Sequence, residues 1–175
     1  MLSCAKRSLS TPAYVRHHAV SNVSVKTLFV YFRSKEELAF ADTWLIDRIL
    51  VALRSRGESG PAHAVAGVLI DAISPDDGEL GVEGYHRGYG ESAALESALL
   101  RYWAGYEDRI TAQLAEEAGA PATPGHRFLA MQLVGIPRMA TSPEVRAALD
   151  GMTPKQAATT LTRLLADAAA SVDGR

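Results

Sequence analysis

The chain has 175 residues, 47% of them hydrophobic and 22% charged, which is enough apolar sequence for a buried core and excludes an intrinsically disordered protein. Its net charge of −2 is unevenly distributed, because the first 35 residues contain six basic side chains and no acidic one and carry +6, against −8 on the other 140. A basic end on an acidic body predicts docking to phosphate through that end, with an affinity that falls steeply as salt rises.

Helices are predicted along the chain. Alanine and leucine are abundant and runs of β-branched residues are few. No Asn-Gly or Asp-Gly turn joins two alternating apolar segments, which is the usual mark of a β-hairpin. The sequence therefore predicts an all-α fold.

The first informative element is a short helix that Ser24 opens. The serine hydroxyl can accept a hydrogen bond from the free amides of the following turn, and the helix is predicted to run to about Tyr31. Leu28 and Phe32 form its inward face. The residues left for an outside partner are Val25, Lys26, Thr27 and Tyr31.

A second helix follows directly. Ser34 and Glu37 form a capping box, so this helix starts at Lys35, where the lysine and the positive end of the helix both favour a phosphate. Apolar residues recur at helical spacing to about residue 56, and the glycines and proline of 57–61 end the helix.

These two helices resemble a known DNA-binding motif. The segment that carries the resemblance covers residues 22–38, and it is similar to the helix-turn-helix of the TetR (tetracycline-repressor-type) family. The matching residues are Val23-Ser24, Thr27, Phe29, Tyr31-Phe32 and Ser34-Lys35-Glu36-Glu37-Leu38. Over the remaining chain the resemblance lies in the order and length of the helices.

The resemblance implies a division into two domains. Residues 1–40 would form a partial helix-turn-helix domain, and residues 41–175 a helical bundle for ligand binding and dimerisation. Residues 13–21 could supply the family's supporting helix, whereas 1–12 show no amphipathic repeat, so the family's first helix is missing from the pattern.

The resemblance also implies a DNA-reading face. Side chains at the start of a recognition helix are the ones that meet base edges in the major groove. The implied DNA contacts are Val25, Lys26, Thr27, Tyr31 and Lys35. Lys26 is the best candidate for a base edge or phosphate, whereas Tyr31 and Lys35 would position the protein on the DNA backbone. The alternative for these residues is a solvated helical face with an ordinary cap.

Further helices are predicted in the body of the chain. Ser74 to Gly90 is too rich in glycine for a stable helix and is predicted to be a loop. Pro137 is expected to stop or kink the helix that contains it. The helices are predicted at 62–73, 92–118, 124–136, 143–149 and from 154 onward.

The last helix carries a stripe of alanines and leucines, which permits close approach of another helix. Its members are Ala157, Ala158, Leu161, Leu164, Leu165 and Ala168. Together with the helix at 125–136 it could form half of a four-helix homodimer interface, as the resemblance implies. The alternative is packing within a single chain.

An apolar ligand pocket is the second predicted site. Aromatic and methionine side chains recur at helical spacing, and Arg138 or His126 could orient an anion or a carbonyl. The candidate ligand-binding residues are Tyr102, Trp103, Tyr106, Phe128, Met131 and Arg138. The resemblance implies a small hydrophobic effector, and the alternative reading of these residues is plain core.

The sequence carries no signature of catalysis or of a cofactor. Residues 88–92 read Gly-Tyr-Gly-Glu-Ser, which is not the Gly-x-Ser-x-Gly of a nucleophile elbow. No phosphate loop, dinucleotide fingerprint or paired-cysteine spacing occurs, and His63, His86 and His126 are too scattered to predict a metal site. We therefore expect neither an enzyme nor a bound cofactor or metal.

The cellular compartment follows from two further observations. Cys4 is the only cysteine, so an internal disulfide is excluded and a reducing compartment is favoured. The sequence begins without a signal-peptide core, and no stretch reaches the roughly 18 apolar residues of a membrane span. A cytoplasmic protein without a membrane partner is expected.

Taken together, these patterns predict a dimeric transcription regulator, a repressor that a small molecule releases from operator DNA. Two alternatives are open. In the first, the protein is a helical dimer that has lost DNA binding and acts as a ligand-sequestering or protein-interaction module. In the second, the natural start lies upstream and encodes the missing helix.

Overall fold

The computed structural model describes residues 43–73 and 93–174, and the regular elements in those two ranges are α-helices. They are α1 (Trp44–Ser55), α2 (Pro61–Ala72), α3 (Ala93–Glu117), α4 (Pro124–Ala140), α5 (Pro143–Leu149) and α6 (Pro154–Asp173). The predicted all-α fold is confirmed. The predicted helix-turn-helix, the start of the helix from Lys35, the loop at 74–90 and the division at residue 40 lie outside the described residues.

The last three helices begin in the same way, with a hydroxyl residue followed by proline. Thr123 Oγ1 accepts a hydrogen bond from the His126 amide at 3.2 Å, and the Thr153 hydroxyl accepts one from Gln156 at 3.4 Å. Ser142 caps α5 through a third bond of this kind. Each cap satisfies an amide that the helix itself leaves free, and proline loses nothing at the first helical position. The starts predicted at Thr123-Pro124 and Thr153-Pro154 are confirmed.

Pro137 does not stop α4. The helix continues to Ala140, so the end predicted at residue 136 is wrong by four residues. A proline inside a helix loses one backbone hydrogen bond and crowds the carbonyl four residues earlier. Here that cost falls in the last turns of the helix, and the ring is one of the most deeply buried side chains of the core. Its burial offsets the lost bond.

The central helix of the bundle is α2, which packs against α1, α4 and α6. Its buried side chains are small, so its neighbours approach closely: Ala62, Val65, Ala66 and Val68. From α1, fully buried Ile49 and Leu53 reach the same core, and from α6 Leu165 does. The core therefore lies along α2.

The longest helix, α3, packs chiefly against α4. Trp103, Tyr106, Ile110 and Leu114 are buried on one side of it, whereas Arg109 is exposed. The amphipathic helix predicted at 92–118 is therefore confirmed. No helix in the two described ranges, this one included, combines the length and the apolarity needed to cross a bilayer.

Candidate functional site

Three of the predicted ligand residues form an aromatic cluster on α3. The rings of Trp103 and Tyr106 meet edge to face, with centroids 5.3 Å apart, and Tyr102 lies 4.6 Å from Tyr106 and 5.6 Å from Trp103. Residues four apart on a helix face the same way, which explains the contact between the two tyrosines. Trp103 and Tyr106 are buried and Tyr102 is partly buried, so the cluster belongs to the core.

The cluster has a polar edge. The hydroxyl oxygens of Tyr102 and Tyr106 are 2.6 Å apart, close enough for one phenol to donate a hydrogen bond to the other. Paired phenols can turn their protons toward a new acceptor without moving the rings. The arrangement therefore places a pair of hydroxyl groups at the edge of an otherwise apolar, buried aromatic cluster.

The other predicted ligand residues lie apart from this cluster, on the outer face of α4. Phe128 is 60% exposed and Met131 50% exposed, and Arg138 is exposed two turns further along. Together with exposed Gly135 they follow one another at steps of three and four residues and therefore share one face of the helix. The structure thus divides the predicted ligand set into a buried cluster on α3 and a surface row on α4.

The stripe predicted on the last helix is largely used within the chain. Leu161 and Leu165 are buried, as is Ala169 one turn later, and α6 packs along α2 and against α4. The partly buried members of the stripe, Leu164 and Ala168, pack on the same core. Small residues let α6 approach α2 closely, so the stripe serves the alternative reading, packing within one chain.

A row of polar contacts, which we call the polar seam, joins α1 to α3. Its three rungs pair Asp47 with Arg109, Arg54 with Gln113, and Arg56 with Glu117. The partners advance in the same direction along both helices, so α1 and α3 run parallel there. The distances are 2.6 Å for each of the first two rungs and 3.0 and 2.8 Å for the two bonds between Arg56 and Glu117.

The inner end of the polar seam is the better-protected end. Gln113 is only 4% exposed and bridges the two inner rungs, since its amide donates to Glu117 at 3.1 Å while its oxygen accepts from Arg54. Hydrogen bonds from Arg56 and then Gln113 outweigh burial and hold the pKa of Glu117 below its ordinary value. Hydrogen bonding to Glu117 likewise raises the pKa of Arg56. The pair of Arg56 and Glu117 therefore stays charged and hydrogen-bonded at neutral pH.

Asp173, at the end of α6, caps the start of α2. Its carboxylate accepts hydrogen bonds from the backbone amides of Ala62 at 3.0 Å and His63 at 2.8 Å, and it lies 2.6 Å from the His63 ring nitrogen Nδ1. Gly60, which precedes α2, has no side chain for this role. A residue 110 positions away thus supplies the negative charge that a helix start favours.

The stability that this cap supplies is expected to disappear in acid. Burial by itself would raise the pKa of Asp173, but the Ala62 and His63 amides and the His63 ring together hold it below 3.8, its ordinary value. A carboxyl with a lowered folded pKa stabilises the fold above its unfolded pKa, and that contribution is lost as pH falls through the folded pKa.

We expect Asp173→Asn to lower the free energy of unfolding by about 1–2 kcal/mol at pH 7 and the difference from wild type to shrink steadily below about pH 4. Urea unfolding at a series of pH values measures this. Asp167→Asn, on the exposed side of the same helix, is the matched control and should run parallel to wild type. A difference for Asp173→Asn that stays constant down to about pH 2 would contradict the cap.

Sequence reasoning missed the polar seam and the Asp173 cap. Their partners are 59 to 62 residues apart in the seam and 110 or 111 in the cap. An arginine near a helix end or an aspartate near a chain end is ordinary on any surface, so no local signal marks these residues. The packing of α1 beside α3 brings the seam residues together, and the packing of α6 along α2 brings Asp173 to the start of α2.

Two open grooves lie on the surface of the described part. One, of about 470 Å³, runs between α1 and α2 past Trp44, Arg48, Val51 and Asp71. The guanidinium of Arg48 stacks 5.1 Å from the Trp44 ring centre and lies 4.0 Å from the Asp71 carboxylate. The other, of about 390 Å³, lies against the first turns of α6. Neither contains a predicted ligand residue.

The predicted DNA contacts lie outside the described residues, at Val25, Lys26, Thr27, Tyr31 and Lys35. Within the two described ranges, no group of three or more histidine, cysteine, aspartate or glutamate side chains could hold a metal ion. Comparison with protein-family models, curated proteins and solved structures finds no match to this chain. Its function must therefore be inferred from its own residues.

Proposed function

We propose that this chain is a DNA-binding transcription regulator, a repressor that acts in the cytoplasm as a homodimer and is released by a small hydrophobic effector. The observation that carries the proposal is the segment 22–38, in which Ser24, Lys26 and Tyr31 stand where a TetR-type recognition helix has its cap, its base-reading side and its backbone contact. The charge of the first 35 residues, +6 on a chain of −2, supports it.

The helical body suits the other half of the proposal. Its aromatic cluster on α3 offers rings and a hydroxyl pair to an effector. An effector that prefers the state unable to bind DNA would release the operator, since a ligand shifts an equilibrium only through unequal affinity for the two states. In such a dimer, the two recognition helices would read half-sites about one DNA turn, roughly 34 Å, apart.

The test of DNA binding is fluorescence anisotropy with labelled DNA from beside the gene, against scrambled DNA of equal length, at two salt concentrations. We expect tight binding to the first DNA only. Lys26→Ala should weaken it roughly tenfold and alter sequence preference, whereas Tyr31→Ala should weaken all DNAs alike. Lys155→Ala, which removes the same charge from the exposed start of α6, is the matched control and should leave the affinity unchanged.

Weak binding to both DNAs that salt abolishes would contradict the regulator. It would favour the alternative function, a helical dimer that sequesters a ligand or binds another protein. The effector half has a separate readout, because Trp103 lies within the aromatic cluster. Quenching of its fluorescence by a small apolar ligand in a Trp44→Phe background would report binding there.

The exposed row on α4 is the proposed dimer face. A phenylalanine 60% exposed beside a methionine 50% exposed is a typical centre for an interface between two copies. In a two-fold dimer each residue counts twice, so Phe128→Glu should cost roughly 3–6 kcal/mol and raise the dimer Kd by two to four orders of magnitude. Sedimentation equilibrium measures this.

Val51→Glu is the matched control, since Val51 is also 60% exposed but lies on α1. It should leave the dimer intact. A Phe128→Glu protein that remains dimeric would place the interface elsewhere, and a wild-type protein that is monomeric at all concentrations would remove dimerisation from the proposal.

A further inference from the structure

The exposed row on α4 has a spacing that reads the same from either end. Its four members are Phe128, Met131, Gly135 and Arg138, at steps of three, four and three residues. Residues at such steps line one face of a helix, here over roughly 15 Å, since a helix rises about 1.5 Å per residue. When a second copy is turned end to end, the first member of the row therefore meets the fourth, and the second meets the third.

End-to-end pairing would bring Met131 of one copy against Gly135 of the other. Met131 is 50% exposed, and a Cβ added at Gly135 would meet nothing within 4 Å. Packing within the chain therefore does not require a glycine there, although glycine is unfavourable inside a helix. Methionine is long and flexible and fills irregular gaps. The two residues are thus complementary in size, and a two-fold axis makes the contact twice.

The same pairing would bring Phe128 of one copy against Arg138 of the other. Phe128 is 60% exposed, and Arg138 is exposed as well. A guanidinium within about 6 Å of an aromatic ring centre is attracted to the face of the ring. In a parallel arrangement each residue would meet its own copy, so that Arg138 would face a like charge and two glycines would leave a gap between them. Charge and shape both favour the antiparallel arrangement.

We propose that the homodimer forms by antiparallel packing of α4 on α4 of a second copy, about a two-fold axis at the level of Leu133. Each copy supplies one Met131 to the other's Gly135 and one Phe128 to the other's Arg138. The inference rests on the proposed homodimer and specifies how its two copies meet. It does not depend on the binding of DNA or of an effector.

The first experiment exchanges the large and the small residue. Met131→Gly leaves a gap opposite each Gly135 and should raise the dimer Kd about thirtyfold, measured by sedimentation equilibrium. Gly135→Met sets two pairs of methionines against each other and should raise the Kd about a hundredfold. A heterodimer of the two variants regains both methionine–glycine contacts. In an equal mixture, native mass spectrometry should therefore find about 90% or more of the dimers as heterodimers, against about 50% for random pairing.

The matched control is Gly105→Met on α3. Gly105 is also an exposed glycine inside a helix, and a Cβ added there meets nothing within 4 Å. Gly105→Met should leave the Kd unchanged and should pair with Met131→Gly no better than wild type does. Circular dichroism should remain helical in all three variants.

The second experiment tests the direction of packing through charge. Phe128→Glu and Phe128→Lys remove the same ring, so both should weaken the dimer. Only antiparallel packing places residue 128 beside Arg138 of the second copy, where a glutamate is attracted and a lysine repelled. The Phe128→Glu dimer should therefore be about fivefold tighter than the Phe128→Lys dimer at low salt, and the difference should disappear at about 1 M salt.

Two results would overturn the antiparallel packing while leaving the homodimer in place. They are random pairing in the mixture and equal Kd values for Phe128→Glu and Phe128→Lys, and either one is sufficient in a wild-type protein that is dimeric. A wild-type protein that is monomeric at all concentrations would instead remove the homodimer itself. If Met131→Gly or Gly135→Met does not fold, the charge comparison alone decides.

Discussion

Replacing Leu165 with alanine is expected to lower the free energy of unfolding by about 2–5 kcal/mol. Leu165 is fully buried on α6 and belongs to the core that α6 shares with α2. The loss of stability has two causes. The shorter side chain buries less apolar surface on folding, and a cavity remains because packed helices close such a space only in part. For a chain of this length, the thermal midpoint should fall by roughly 4–20 °C. Urea unfolding followed by circular dichroism measures the free energy.

Leu164→Ala is the matched control. Leu164 directly precedes Leu165 on α6 but is only partly buried at the edge of the core, so the same substitution should cost about 1 kcal/mol there and leave no closed cavity. Equal losses at the two positions would contradict the packing of α6 on α2 through Leu165. An unchanged stability in Leu165→Ala would contradict it outright.

Gly60→Ala is expected to destabilise the protein by about 2–3 kcal/mol. Replacing glycine by alanine normally has the opposite effect, because alanine loses less backbone entropy on folding. An added Cβ would lie 2.0 Å from Asp173 Oδ2 and 2.8 Å from Asp173 Cβ. Rotating the carboxylate does not relieve the second contact, so the end of α6 must move. Gly60 has φ −62° and ψ 147°, which alanine adopts without strain. The expected loss of stability therefore comes from displacing the Asp173 carboxylate that caps α2.

The control substitution, Gly67→Ala, is expected to stabilise the protein rather than destabilise it. Gly67 lies inside α2, and an added Cβ there meets nothing within 4 Å. Gly67→Ala should stabilise by about 0.5–1 kcal/mol, because alanine loses less backbone entropy in a helix. In a chain that already carries Asp173→Gly, which removes the Cβ as well as the carboxylate, Gly60→Ala should cost almost nothing. Equal losses with and without Asp173 would show that the clash and the cap are unrelated.

The packing of α6 on α2 bears on where a second copy could bind. If Leu165 and Asp173 both hold α6 against α2, the stripe on α6 is engaged within the chain, and Phe128 and Met131 on α4 remain for a second copy. Loss of the dimer in Phe128→Glu with no change in the stability of the monomer would agree with that division.

Local cues in the sequence predicted the local features correctly. The hydroxyl residues before Pro124 and Pro154 marked helix starts because a cap and a fixed φ act within one turn. The spacing of Trp103, Tyr106 and Ile110 marked a buried face because a helix repeats every 3.6 residues. The end of α4 was missed, since the penalty of Pro137 is local but its compensation, burial among other helices, is not.

The candidate site was predicted only in part, for a related reason. Phe128 and Trp103 look alike as large apolar residues at helical spacing, yet one is 60% and the other 3% exposed. Which side of a helix is covered depends on where its neighbours lie, and several faces of α4 are apolar enough to be buried. The same ambiguity explains why the stripe on α6 was predicted to face a second copy of the chain, with packing within one chain as the alternative.

Local sequence is enough to predict the helices, their capped starts and the buried side of α3, because propensity, capping and periodicity act over a few residues. The tertiary structure alone decided the parallel alignment of α1 with α3, the pairing of Arg56 with Glu117 and the cap that Asp173 places on α2. Those contacts join residues 59 to 111 positions apart. Such pairs form only once the helices are packed, since the energy that orders them comes from burying the whole core rather than from either residue's neighbours along the chain.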